Sequence, residues 1–241
     1  MRTLVIGDIH GGLKALEQVF KIAHVTPKDT LLFLGDYVDG WSESPEVLDF
    51  LISLNQTHPC LFLRGNHDEL LLHWLQNNHD NSMWLAHGGA STVKAYANIP
   101  EAKKQKHLQF LLSLKNYHID AKNRLYVHAG FTHLKGVTME HFPRLLYWDR
   151  TLWEMALALD PAIAKNSVLY PKRLQLYEEI YIGHTPVTQI NASIPTNKAN
   201  VWNIDTGAAF KGRLSLLEVD SKVFWQSDPV YLLYPDEIGR N

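Results

Sequence analysis

The chain has 241 residues, 46% hydrophobic and 20% charged, with a formal net charge of −2. That is the composition of a globular chain large enough for a substantial α/β core. It lacks the clustered Lys and Arg on which nucleic-acid affinity rests, and no apolar run reaches the roughly 18 residues of a membrane span, so neither partner is expected.

Thr3-Leu4-Val5-Ile6 reads as a buried strand that runs into Gly7-Asp8-Ile9-His10-Gly11, leaving no room for a signal peptide before Asp8. Leu13, Leu16, Val19, Phe20 and Ala23 then recur at helical spacing. A second strand, Leu31-Leu32-Phe33-Leu34, ends in Gly35-Asp36-Tyr37-Val38-Asp39-Gly40. Ser44-Pro45 opens a helix carrying Val47, Leu48, Leu51 and Ile52, with Ser44 as N-cap and Pro45 in the first helical position. The third strand, Leu61-Phe62-Leu63, ends in Gly65-Asn66-His67-Asp68. The one cysteine, Cys60, has no internal disulfide partner; it reads as a small core residue of a reducing compartment, by default the cytoplasm.

This βαβαβ alternation implies a parallel sheet with right-handed crossovers, whose ligands gather beyond the carboxyl ends of the strands. Residues from about 69 to 115 read as a mostly helical insertion, or cap, within a single domain spanning 1–241; Gly88 and Gly89 suggest a tight turn near the mouth of a site. Strand character returns at Tyr117-His118-Ile119 and Leu125-Tyr126-Val127-His128, followed by a helix over about 150–159. Short strands at Ile180-Ile182, Val201-Ile204, Leu214-Val219 and Lys222-Trp225 suggest a second sheet packed on the first. The aromatic segment from Phe224 to Tyr234 is expected to cover the core.

Parallel strands ending side by side would deliver Asp8, His10, Asp36 and Asn66 to one sheet edge. Hard oxygen and imidazole donors of this kind suit two divalent first-row cations and point to a dinuclear metal hydrolase. Ligand-bearing turns recur as Val127-His128-Ala129-Gly130 and Ile182-Gly183-His184-Thr185-Pro186. Among 13 histidines, His10, His67, His128 and His184 stand at strand ends beside glycine or another polar ligand type. His24, His58, His73, His79, His107, His118, His133 and His141 lack that setting and read as surface or structural.

Taken together, Asp-x-His, Gly-Asp-x-x-Asp, Gly-Asn-His-Asp and two separated histidines resemble the calcineurin-like metallophosphoesterases. The likeness is to the phosphoprotein-phosphatase branch, with its bacterial Ser/Thr phosphatases and symmetrical diadenosine tetraphosphatases. It extends to Trp84 through Thr92, Tyr147-Trp148-Asp149-Arg150 and Asn203 through Ala208.

The resemblance implies an α/β fold of two packed mixed sheets flanked by helices, a four-layer sandwich with a helical insertion. It implies that Asp8 and His10 hold one metal, that Asp36 bridges two, and that Asn66, His128 and His184 complete the second. A hydroxide between the ions would be the nucleophile. His67 would protonate the leaving group, Asp39 would orient His67, and Arg150 would grip phosphate with Asn66. The expected reaction is hydrolysis of phosphate monoesters on a phosphoprotein or a small phosphate ester or nucleotide. The alternative is hydrolysis of dinucleoside polyphosphates. Donors without thiolates fit Mn²⁺, Fe or Zn²⁺ without choosing among them, and Mn²⁺ is the activating ion expected with the monoesterase reading. A non-catalytic scaffold would be expected to lose a ligand or the acid, and this chain keeps them all.

The resemblance breaks at one place. The family's second motif carries an arginine where this chain has Gly40, followed by Trp41. A missing charged hydrogen bond is worth about 1.5–3 kcal/mol, one to two decades of affinity, so a weaker grip on phosphate is expected. Gly40 is also expected to leave space beside Trp41 for a bulkier leaving group. Asp68 and Asp205 read as turn-forming, Arg64 as a structural pairing partner, and His87 as structural or substrate-touching.

Overall fold

The computed structural model describes residues 1–77 and 81–240, so His79 falls outside the described residues. Among the described residues, ten strands lie in two five-stranded sheets: β1 (Thr3–Ile6), β2 (Thr30–Phe33), β3 (Cys60–Phe62), β4 (Tyr117–Ile119), β5 (Arg124–Val127), β6 (Glu179–Ile182), β7 (Thr196–Lys198), β8 (Val201–Asn203), β9 (Ser215–Glu218) and β10 (Phe224–Gln226). The first sheet has the order β10-β9-β1-β2-β3, parallel across β1-β2-β3 and antiparallel at β9 and β10. The second has the order β4-β5-β6-β8-β7, parallel in its centre and antiparallel at both edges.

Side-chain alternation builds the layers. Leu4 and Ile6 of β1 and Leu31 and Phe33 of β2 point outward; Val5 and Leu32 point inward. In the second sheet Leu125, Val127, Ile180 and Ile182 point outward, while Tyr126 and Tyr181 point inward and stack with centroids 4.9 Å apart. Strands that are apolar on both faces have to be covered on both faces. The inner faces therefore close on each other, and helices cover the outer ones.

The outer face of the first sheet is covered by α1 (Leu13–Ile22), α2 (Ser44–Leu54), α3 (Asn66–Asn77), α4 (Ser82–Trp84), α5 (Ala90–Tyr96) and α6 (Glu101–Ser113). The outer face of the second is covered by α7 (Leu145–Trp148) and α8 (Thr151–Ala158). A short C-terminal helix, α9 (Val230–Leu233), packs near α1. Within 69–115 the described residues hold most of α3 and all of α4, α5 and α6, and α3 starts earlier, at Asn66, putting Asn66 and His67 in its first turn.

Two local expectations are corrected. β9 and β10 join the first sheet, where β9 lies antiparallel to β1, rather than the second. Alternation identifies a strand but not its neighbour, and here β9 pairs the edge of β1 that β2 leaves open. Ser44 is the first helical residue rather than the N-cap, because its Oγ accepts the Asp39 N–H (3.1 Å) and meets Thr92 Oγ1 (2.9 Å). Cys60 is half-buried against the outer core; of the segment expected to cover the core, Val230 and Tyr234 are buried there, whereas Phe224, Tyr231 and Leu232 are exposed, so the cover is partial. Among the described residues no helix is long and apolar enough to cross a membrane.

Candidate active site

β1, β2 and β3 end at one edge of the first sheet, and β5 and β6 end beside them in the second. The turns that follow bring Asp8, His10, Asp36, Asn66, His67, His128 and His184 together. His10, Asp36, Asp39 and His184 have positive φ (53°, 54°, 73° and 69°), backbone that non-glycine residues adopt only when their surroundings force it. At the site that force is a dense set of buried hydrogen bonds. Asp36 N–H and Tyr37 N–H each donate to Asp68 (2.9 Å), as does Gly65 N–H (2.8 Å), so Asp68 ties the second motif to the third, a turn-forming role. The His67 N–H, in the first turn of α3, donates to Asp36 Oδ1 (2.9 Å), and the His184 N–H donates to Asp8 Oδ2 (3.0 Å). Gly183 permits that approach: a Cβ there would lie 2.1 Å from Asp8 Oδ1.

The imidazoles are aimed by carbonyls. His10 Nδ1 donates to Val38 O (3.1 Å) and Asp39 O (3.0 Å), and His128 Nδ1 donates to Leu34 O (3.0 Å). Each ring therefore presents Nε2 to the site, with His10 Nε2 3.6 Å and His128 Nε2 3.4 Å from Asp36 Oδ2. His128 Nε2 (3.3 Å) and His184 Nδ1 (2.9 Å) converge on Asn66 Oδ1. Two groups have ligand atoms within 4.8 Å of one another: His10, Asp36 and His67, and Asp36, His128 and His184. Asp36 belongs to both.

The donor set fits cations. Asp8, Asp36, Asp68 and Asp205 are 2%, 1%, 1% and 5% exposed, a concentration of carboxylates that a dry site tolerates only with positive charge beside it. Burial, with the neighbouring Asp205, pushes Asp8 well above the usual carboxylate range. Burial also raises Asp68 to about 7 and Asp205 to about 6, in each case with help from Asp36. Burial works against charge at Asp36 as well, but His128 and His67 together hold it well below the usual range. Burial holds His10 and His184 well below the ordinary imidazole value, the neutral form a metal ligand requires. Among the described residues, Asp8 Oδ1 and His184 Nε2 are buried without a hydrogen-bond partner and remain free to act as ligand atoms.

Beside this floor, His67 Nδ1 donates to Asp39 Oδ2 at 2.6 Å, leaving Nε2 as its exchangeable nitrogen. The same carboxylate oxygen accepts the Trp84 indole N–H at 2.6 Å. The Asp39 backbone is fixed by Ser44 and Thr92 hydroxyls, each at 3.1 Å.

The floor opens into a cavity of about 440 Å³ whose wall includes Trp148, Arg150, Phe210 and Arg240. Arg150 is exposed there, and its Nη1 donates to Thr185 Oγ1 (3.1 Å) next to His184. His87 also lines the cavity and donates Nδ1–H to Met83 O (2.7 Å); Gly88, beside it, breaks the helix with φ +107°. Arg64 Nη2 donates to Leu111 O (3.2 Å), the structural pairing expected of it. The space expected beside Trp41 is filled. Its indole is fully buried, donates to Ala208 O (2.8 Å) and stacks on Tyr234 at 5.2 Å.

The sequence of residues 1–198 matches the family model for calcineurin-like phosphoesterases. The chain belongs to that family. This phosphoesterase is thus a hydrolase, and its family uses a dinuclear divalent metal centre for which candidate ligand groups are present here. It is 26% identical to an asymmetrical bis(5'-nucleosyl)-tetraphosphatase PrpE of Oceanobacillus iheyensis, over 93% of this chain and 91% of that one. It is 25% identical to Serine/threonine-protein phosphatase 1 of Salmonella typhimurium, over 89% and 90%. Among solved structures, its fold is shared with a cold-active protein-tyrosine phosphatase of a Shewanella species, with TM-score 0.57, 17% identity and coverage of 94% and 80%. It is shared also with a metallophosphoesterase from Sphaerobacter thermophilus, with TM-score 0.52, 20% identity and coverage of 94% and 87%.

Sequence reasoning about the phosphoesterase missed the Trp84 bond to Asp39, the two hydroxyls behind Asp39, and Arg240. The Trp84–Thr92 segment carries the resemblance, but nothing in it signals which group its indole or hydroxyl meets. Arg240 carries no local signal at all.

Proposed function

We propose that this phosphoesterase hydrolyses phosphate monoesters, in the manner of a Ser/Thr protein phosphatase, with two divalent cations held by Asp8, His10, Asp36, Asn66, His128 and His184. The observation that carries the reading is Asp36, the one carboxylate shared by two groups of potential ligands and braced by the His67 N–H. Mn²⁺ is the cation we favour for this oxygen and nitrogen donor set. When bound, such a pair brings the pKa of water toward neutrality and offsets the phosphate's negative charge.

The chain's own groups do the rest. His67, its Nδ1 committed to Asp39, hands the Nε2 proton to the departing alkoxide, and Asp39 keeps the ring in that tautomer. Trp84 holds the Asp39 carboxylate in place from the other side. Arg150 pairs its planar fork with two phosphate oxygens, and the Asn66 side chain adds a polar contact at the same end. The proposed substrate is a phosphoprotein or a small phosphate ester or nucleotide, met in the cytoplasm.

A second reading, hydrolysis of dinucleoside polyphosphates, is supported by the PrpE relatives, including one of Bacillus anthracis that is 29% identical over 90% of both chains. Trp148 and Phe210 on the cavity wall offer faces on which a base can stack. Steady-state assays of p-nitrophenyl phosphate, a phosphoserine peptide and diadenosine tetraphosphate, with and without Mn²⁺, test both. Metal-dependent turnover with the highest kcat/KM on the peptide supports the first reading, and a preference for the dinucleotide supports the second. No turnover by metal-loaded protein overturns both.

A further inference from the structure

The C-terminal segment returns to the site along a fixed path. Tyr234 stacks on Trp41, its hydroxyl accepts the Lys14 N–H (3.0 Å), and Glu237 accepts from Ser42 N (2.9 Å) and Ser42 Oγ (2.6 Å). Gly239, at φ +71°, lies so close to the Trp41 ring that a Cβ would come within 2.8 Å of it. The Arg240 N–H then donates to Ala209 O (2.8 Å). These bonds pin the segment to the loop that follows Asp39.

The Arg240 stem runs through a notch made by two glycines. Its Cγ is 3.4 Å from where a Cβ on Gly40 would be and 2.9 Å from where one on Gly88 would be. Gly40 N–H donates to Gly88 O (3.2 Å), so the two loops are joined there and the notch is rigid. The guanidinium emerges over the Phe210 ring at 5.3 Å and lines the same cavity as His10, Asp36 and His67. Among the described residues its buried Nε has no hydrogen-bond partner, and no ion pair or hydrogen bond engages its other side-chain nitrogens.

A partly buried guanidinium whose N–H donors find no acceptor among the described residues is costly to keep unless something occupies its fork. The cation–π contact with Phe210 satisfies none of its N–H donors. We infer that Arg240 is a phosphate-binding residue of this site, delivered from the C-terminus into the space that Gly40 leaves open. The inference rests on the phosphoesterase reading above and deepens it. The guanidinium absent at position 40 is supplied from 200 positions further along the chain, so Gly40 marks a relocated contact rather than a lost one.

The test uses the full chain loaded with Mn²⁺ and compares wild type with Arg240→Met, which keeps a stem for the notch and removes the fork. With p-nitrophenyl phosphate, KM is expected to rise about ten- to a hundred-fold with kcat changed by less than about threefold. The dissociation constant for inorganic phosphate, measured by calorimetry, should rise in parallel, with Tm and bound Mn²⁺ unchanged. Added guanidinium ion should restore part of the affinity of Arg240→Ala. If the Met variant folds poorly, Arg240→Lys serves instead, with KM expected to rise about tenfold. Unchanged KM and phosphate affinity in a folded, metal-loaded variant, without guanidinium rescue, overturn the inference. Absence of turnover by wild type would strike the phosphoesterase reading instead, and the phosphate titration would still decide the role of Arg240.

Discussion

At the floor of the site, Asp8, His10, Asp36, Asn66, His128 and His184 each follow a strand by no more than four residues. At the rim, Trp84 comes from α4, Arg150 from the turn before α8, and Arg240 from the C-terminal segment. Floor residues are braced by backbone: carbonyls aim His10 and His128, while N–H groups hold Asp8 and Asp36. Rim residues are braced by single side-chain contacts or by packing. On the proposed assignment, groups that would have to meet a cation within a fraction of an ångström lie on the stiff edge of two packed sheets, whereas groups that would grip a substrate are supplied from elsewhere.

This contrast makes substitutions unequal. Asp36→Asn, at the centre of the floor, is expected to lower kcat/KM by at least about three decades, roughly 4 kcal/mol of transition-state stabilisation. Metal analysis of the purified variant should show the loss of bound ions with it. His67→Asn, where floor meets rim, should cost about 10²–10⁴-fold in kcat on a phosphoserine peptide, whose alkoxide needs a proton. The loss should be much smaller on p-nitrophenyl phosphate, whose leaving group does not; equal losses on both would remove His67 from the acid role. Trp84→Phe, a rim change that reaches the floor only through Asp39, should lower kcat on the peptide about tenfold while leaving metal content intact.

The smallest effect concerns the scaffold beneath the rim. His107 of α6 is buried between Tyr96 Oη (2.7 Å) and Asp49 Oδ1 (3.1 Å), joining α6 to α5 and α2. Burial lowers its proton affinity, an effect that Asp49 opposes and Lys103 reinforces. With the folded value below the unfolded one, the unfolded chain binds the proton more readily. The stabilisation is therefore present above about pH 6.5 and fades as the pH falls below it. His107→Gln should make Tm fall less steeply from neutral to mildly acidic pH, as read by calorimetry on metal-loaded protein. An unchanged slope would mean that α6 is not held to α5 and α2 by a neutral His107.

Legibility follows the same division. Strands β1, β2 and β3 were readable because each is a short apolar run ending in glycine and a ligand, and so were the turns after β5 and β6. Helices α1, α2 and α8 were readable from their periodicity to within a few residues, whereas the short helices α7 and α9 carry too few turns to show one. β9 was recognisable as a strand, but its place beside β1 depends on which sheet edge was open, and no local pattern encodes that. Ser44 had the chemistry of an N-cap, yet its hydroxyl went to the Asp39 N–H because the fold set that donor beside it. The space inferred beside Trp41 is filled because the C-terminal segment returns across it.

Sequence alone determined the chemistry: the donor types, their placement at strand ends and the layering of apolar faces, all of which operate over a few neighbouring residues. Only the tertiary structure decided which side chains meet across long separations, as Trp84 meets Asp39 and Arg240 enters the notch at Gly40. The physical reason is range. Alternation and turn chemistry act within one element, while the identity of a contact partner emerges only when the whole core closes and leaves each polar group a single place to go.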